Sequence, residues 1–126
     1  MTLANKLSSV ELEAYRRAAR SRTRRRGREL IARRERAWCA AREASRLVKD
    51  RFGATRVVVF GSLVHRGRFT WWSDVDLAAW GLRPRDTLRA MGAVGELERE
   101  IPINLVDVAT CKSELRAAIE RDGVDL

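Results

Sequence analysis

A chain of 126 residues with 45% hydrophobic content fits one domain with a modest core and excludes a disordered chain. No apolar run approaches the roughly 20 residues that cross a bilayer, and the N-terminus has no apolar signal core, so a cytoplasmic protein without membrane contact is expected. The net charge of +9 is uneven: residues 1–56 hold 17 Lys/Arg against 6 Asp/Glu, and residues 57–126 hold 9 against 11. The basic first part suits an acidic partner, nucleic acid or acidic protein, or else forms a solvated helix face.

From Ser9 to Phe52 there is no proline and one glycine, Gly27, and Ala, Arg, Glu and Leu dominate. Ser8 or Ser9 is the expected N-cap, with Glu11 and Glu13 in the first turn. Residues 10–52 read as one long helix, or as two broken near Gly27, ending at Gly53. Ile31, Trp38, Ala41, Ser45, Val48 and Phe52 are spaced as one buried face. The middle, RRAARSRTRRRGREL, has almost no apolar face. A continuous helix would run about 65 Å, so its N-terminal half is expected to project or to pack on a partner, and an oligomer is one way to cover it.

Residues 56–61 are β-branched and aromatic and read as a buried strand, 62–73 as a loop, and 74–80 as a second strand. Pro84 opens a helix expected to reach Glu98, with Leu88, Met91, Val94 and Leu97 inward. Residues 101–108 read as a third strand, followed by a helix ended by Gly123 and a short strand in the VDL tail. The expected fold is α/β (α+β): a small mixed β-sheet with helices packed on it, preceded by a long basic helix. The expected division is a basic helical extension over 1–52 and a core over 53–126. Cys39 and Cys111 lie in no metal-like spacing and read as buried free thiols. With one histidine, His65, neither a zinc site nor a Ser-His-Asp triad is expected.

The stretch FGSLVHRGRFTWWSDVDL carries the chemistry. Asp74 and Asp76 alternate along a strand and so share one face. Their repulsion is relieved by a hard cation such as Mg²⁺, which is commonly held by one or two carboxylates together with substrate phosphates. Gly61 and Ser62, at the end of the preceding strand, suit a phosphate: glycine lets the backbone approach, and amides and a hydroxyl donate. His65, Arg66 and Arg68 read as exposed loop side chains rather than as phosphate contacts, and Trp71 and Trp72 as a cover for a sheet edge or a partner surface rather than a base-stacking pair.

These residues resemble the signature of the minimal nucleotidyltransferase domains of the DNA polymerase β superfamily, from Val57 to about Leu126. The resemblance implies a polymerase β-type core, nucleotide binding at Gly61, Ser62 and Ser73, and Mg²⁺ on Asp74 and Asp76. Its third carboxylate falls in the strand INLVDV at Asn104. Asparagine offers a carbonyl oxygen but takes no proton, so its presence is expected to slow transfer by about 10²- to 10⁴-fold if that position is a general base. Asp107, three residues on, faces the other side of a regular strand and is a poor substitute. Three readings stay open: a naturally slow or inactive protein, a substituted residue, or a third carboxylate placed elsewhere.

The resemblance also implies transfer of AMP from ATP to a hydroxyl, as in antitoxins that modify a tyrosine of HEPN ribonuclease toxins. The Arg cluster at 16–28 makes tRNA or other RNA the alternative acceptor, and Asn104 makes a catalytically dead binding antitoxin the third reading.

Overall fold

The computed structural model describes residues 8–126. The first seven residues of the basic extension lie outside the described residues. The chain divides into two compact units, Met1–Ala32 and Arg33–Leu126.

Helix α1, Ser9–Phe52, is unbroken at Gly27. Its start is a reciprocal cap: the Glu11 amide donates to Ser8 Oγ (3.1 Å), and the Ser8 amide donates to Glu11 Oε2 (3.0 Å). It ends on Gly53 (φ +71°), whose amide reaches back to the Lys49 carbonyl while that of Ala54 reaches Val48. None of residues 9–32 is buried. Ile31, expected inward, is 62% exposed, because the buried stripe begins only at Ala37. Small residues carry that stripe: Ala37, Ala40, Ala41, Ala44 and Ser45, then Val48 and Phe52.

In the second unit four strands form one sheet in the order β3-β2-β1-β4. They are β1 (Arg56–Phe60), β2 (Val75–Trp80), β3 (Ile103–Asp107) and β4 (Val124–Asp125). Strand β1 is antiparallel to both β2 and β4, whereas β2 and β3 are parallel. A parallel neighbour requires a crossover, which a 3₁₀ turn at Pro84–Asp86 and helix α2 (Thr87–Gly95) supply. Helix α2 stops at Gly95 rather than Glu98, and Leu88 points outward, 82% exposed. Its buried members are Ala90 and Val94, so Val94 stands inward as expected, Met91 and Leu97 are half-buried, and only Leu88 departs.

Period-two alternation divides the sheet's side chains. Val58 and Ala78 face helix α3 (Ser113–Asp122), packing with Val108 and Ile119 and flanked by Phe60, Trp80, Cys111 and Leu115. Val57, Val59, Leu77 and Ala79 are buried on the other face. Within this unit, residues 33–52 of α1 are tied to the loops beside the sheet. Arg34 Nη2 donates to the Leu63 carbonyl (3.0 Å), Arg36 pairs with Glu98 and Glu100, and Lys49 Nζ donates to the Leu126 carbonyl (2.6 Å). Both cysteines are free as expected, but neither is buried: Cys39 is exposed and Cys111 half-buried. Among the described residues no helix is long and apolar enough to cross a membrane.

Gly123, at the end of α3, sits so close to β1 that a Cβ there would collide with Val58 Cγ1 and the Ile119 carbonyl. Gly123→Ala is expected to cost about 1–3 kcal/mol through overpacking, read as a lowered midpoint in urea unfolding followed by near-UV circular dichroism. An unchanged midpoint would show that α3 shifts freely on the sheet.

Candidate active site

The site grows from the register of three strands. In the β1–β2 pair Phe60 stands opposite Asp76, and in the β2–β3 pair Asp76 stands beside Asn104. Asp76 and Asn104 therefore lie on the face that carries Ala78 and α3. Asp74 just precedes β2 rather than lying in it, yet its carboxylate joins the same cluster. The Asn104 side-chain amide donates from Nδ2 to Asp74 Oδ2 and to Asp76 Oδ1, both at 3.2 Å. One neutral donor thus bridges two carboxylates.

Asp76 carries the electrostatic cost. Burial pushes its carboxyl above the usual aspartate range; the Asn104 hydrogen bond opposes that, and the neighbouring Asp74 charge adds to it. Gly61 closes the cluster from the β1 side. Its φ of +79° is a left-handed value that glycine adopts without strain, and a Cβ there would lie 2.6 Å from Asp76 Oδ2. Position 61 is glycine for both reasons: the chain turns sharply off the strand, and it does so against a carboxylate.

Gly61 opens a short 3₁₀ turn, Gly61–Val64, inside what the sequence suggested was plain loop. Beside it lies a cavity of about 550 Å³ lined by Phe60, Gly61, Ser62, His65, Arg68, Ala118 and Asp122. That volume is in the range of small-molecule and cofactor sites. The structure thus gathers Gly61 and Ser62 at the cavity, and Asp74, Asp76 and Asn104 in the adjoining cluster. Ser73 is engaged elsewhere: its hydroxyl accepts from the Thr70 amide (2.8 Å) and lies 3.3 Å from the Thr70 hydroxyl, fixing the turn before Asp74.

Sequence reasoning passed over four residues of this cavity wall. His65 and Arg68 read as solvated, but His65 is half-buried and both line the cavity. Ala118 and Asp122 come from α3, far along the chain, and no local pattern marks them; only the packing of α3 on the Val58 face brings them there. Asp107, in contrast, behaves as the strand alternation required. It is buried on the opposite face, accepting from the Ala109 amide (3.1 Å) and the Thr87 hydroxyl (3.1 Å).

The model of the nucleotidyltransferase domain family matches residues 41–125. The chain belongs to that family. The match begins inside α1, earlier than the resemblance at Val57 suggested, and so includes part of the alanine-rich stripe that is buried in the second unit. A comparison with curated proteins gives no match.

The chemistry of the donor set fits one hard divalent cation. Two carboxylates supply charged oxygen ligands, and Asn104, with its amide turned over, supplies a carbonyl oxygen. Among the described residues no group of three or more His, Cys, Asp or Glu stands ready for a metal; the third polar side chain of the cluster is the Asn104 amide.

The raised Asp76 pKa has a signed consequence for stability. An acid with a folded-state pKa above its unfolded value near 3.9 stabilises the fold while protonated, and that contribution is lost as pH rises through the folded value. Asp76→Asn removes the loss and keeps an oxygen for the Asn104 amide to reach. Without metal, the variant is expected to melt above the parent at pH 7, with the gap closing as pH falls toward about 4. A gap that is constant with pH would show that Asp76 is not the strained carboxylate.

Proposed function

We propose that the protein transfers a nucleoside monophosphate from a Mg²⁺-bound nucleoside triphosphate to a hydroxyl group of a protein partner, with ATP as donor, and that it does so slowly. The observation that carries this reading is the juxtaposition at Gly61: one side of the residue meets the Asp76 carboxylate, and the other opens on a cavity of nucleotide size. The resemblance noted from the sequence supports ATP, an antitoxin role and a HEPN-type toxin as acceptor.

In this reading Ser62 and the backbone at Gly61 bind phosphate oxygens, with His65 and Arg68 adding positive or donating groups from the cavity wall. Asp74 and Asp76 would hold Mg²⁺, with the Asn104 carbonyl as a further oxygen. Bound there, Mg²⁺ supplies charge neutralisation and orientation of the phosphoryl group in transfer. The acceptor oxygen forms a bond to the α-phosphorus, the α–β phosphoanhydride bond breaks, and pyrophosphate leaves. The acceptor's proton goes to solvent, because Asn104 cannot take it.

A second reading is favoured by the Asn104 bridge itself. An amide that already answers both carboxylates weakens the demand for a cation, and such a protein neutralises its partner by binding alone. The Asn104→Asp variant separates the two. Without metal it is expected to melt lower, since a donor is replaced by a third negative charge, and to gain more than the parent on adding Mg²⁺. Incubated with Mg²⁺, labelled ATP and a HEPN-type toxin, it is expected to transfer label about 10²- to 10⁴-fold faster than the parent. Equal labelling by both proteins would remove Asn104 from the catalytic position. No labelling by either, with Mg-ATP binding intact, would leave the binding-only reading.

A further inference from the structure

The first compact unit carries a feature that nucleotidyl transfer does not use. Between residues 16 and 28 of α1 stand eight arginines and no acid: Arg16, Arg17, Arg20, Arg22, Arg24, Arg25, Arg26 and Arg28. All eight are exposed. Of these eight, only Arg20 makes an ion pair among the described residues, with Glu13 at 3.1 Å, and both partners are half-exposed.

The arginines surround the helix. At 100° per residue, Arg16, Arg20, Arg24 and Arg28 drift slowly along one side, while Arg22, Arg25 and Arg26 take the other. The only apolar side chains in the stretch are Ala18 and Ala19. A helix that lies on a membrane needs an apolar face opposite its cations, and this one has none.

Charge density separates the remaining polyanions. The stretch rises about 18 Å, so it carries one positive charge per about 2.3 Å of axis. An acidic peptide, extended and with a carboxylate at every residue, presents one charge per about 3.3 Å. Double-stranded nucleic acid presents one per about 1.7 Å and a lone strand one per about 3.4 Å, so the arginines match the paired stem of a folded nucleic acid. The cations are also all arginine, whose planar fork pairs with phosphate through two hydrogen bonds.

A separate observation in the second unit distinguishes one nucleic acid from another. Trp72 is 90% exposed, so it covers no sheet edge. Its turn is nonetheless well held: the Trp72 amide donates to Thr70 Oγ1 (3.2 Å), and Thr70 and Ser73 exchange further hydrogen bonds. A solvent-facing indole on a held turn is a stacking platform for an unpaired base. Single-stranded loops and ends of RNA offer such bases, whereas a DNA duplex keeps them stacked.

We infer that the protein binds RNA containing single-stranded segments by two contacts that act independently: phosphate pairing along Arg16–Arg28 in the first unit, and base stacking on Trp72 in the second. This goes beyond the transfer reading and is tested without nucleotide, so either can fail alone. A fluorescein-labelled RNA hairpin with an open loop is titrated with the full chain and followed by anisotropy. Affinity is expected to fall by about a hundred-fold or more between about 50 and 200 mM salt.

The triple variant Arg24→Ala, Arg25→Ala, Arg26→Ala keeps or raises helix propensity, which far-UV circular dichroism checks. It is expected to flatten the log–log salt slope by about 0.7–0.9 for each phosphate that the variant no longer neutralises. Trp72→Ala is expected to weaken hairpin binding by about tenfold with the slope unchanged. An unaltered slope in the triple variant, or hairpin affinity indifferent to Trp72→Ala, overturns the assignment. So does binding of a DNA duplex, polyglutamate or anionic vesicles as tight as that of the hairpin.

Discussion

Two carboxylates held beside each other at one end of a sheet repel, and in this protein the side-chain amide of Asn104 opposes that repulsion. Its two hydrogen bonds reach one oxygen of Asp74 and one of Asp76. The arrangement has no net neutralisation: an amide is polar, not charged, and the pair keeps its negative charge. Burial is the main reason the Asp76 carboxyl stands above the usual aspartate range; the Asn104 hydrogen bond opposes that rise and the Asp74 charge adds to it. A charged ligand therefore has something to gain here, through a field that the protein has lowered but not cancelled. Everything else about the site serves to hold these three side chains and to leave one side of them open.

Strand register does most of that holding. The parallel β2–β3 pairing puts Asn104 beside Asp76, and the antiparallel β1–β2 pairing puts Phe60 opposite it. Gly61 then turns away from the strand with its Cα against Asp76 Oδ2. A one-residue slip in either pairing would send a carboxylate into the apolar side of the sheet. The register is protected from that by burial on both faces, with Val57 and Val59 on one and Val58 on the other. The core and the site thus depend on the same constraint.

Much of this is legible from residue pattern because the pattern is strong. The β-branched run before Gly61, the strand alternation from Asp76 onward, and the glycine at the end of α1 each follow from local physics and stand where expected. The facing of Asp107 is also readable, since three residues along a strand reverse the side. The expectations that fail are those that depend on partners distant in sequence. Leu88 and Ile31 fit a helical stripe, but a stripe is buried only where something covers it, and neither position has such cover. Arg68 is exposed as expected, but nothing nearby in the chain reveals that α3 brings Ala118 and Asp122 to a cavity that it and the half-buried His65 also line. The buried stripe of α1 is harder to read than most, being built from alanines that count as helix formers on either side of a helix.

The placement of Asn104 separates catalysis from folding. Its side chain is exposed, while its neighbours Ile103 and Leu105 are buried in the core. Exchanging asparagine for aspartate at such a position changes charge and proton affinity at nearly constant volume, and leaves the apolar packing alone. Asp107 is the reverse case: it is buried, hydrogen-bonded to Thr87 and Ala109, and any change there would leave donors unpaired inside the fold. Two polar residues three apart on one strand therefore face different selection. At Asn104 a carboxylate would leave the apolar packing untouched and act through charge alone. Asp107 is fixed by the structure it supports, buried and accepting from Thr87 and Ala109.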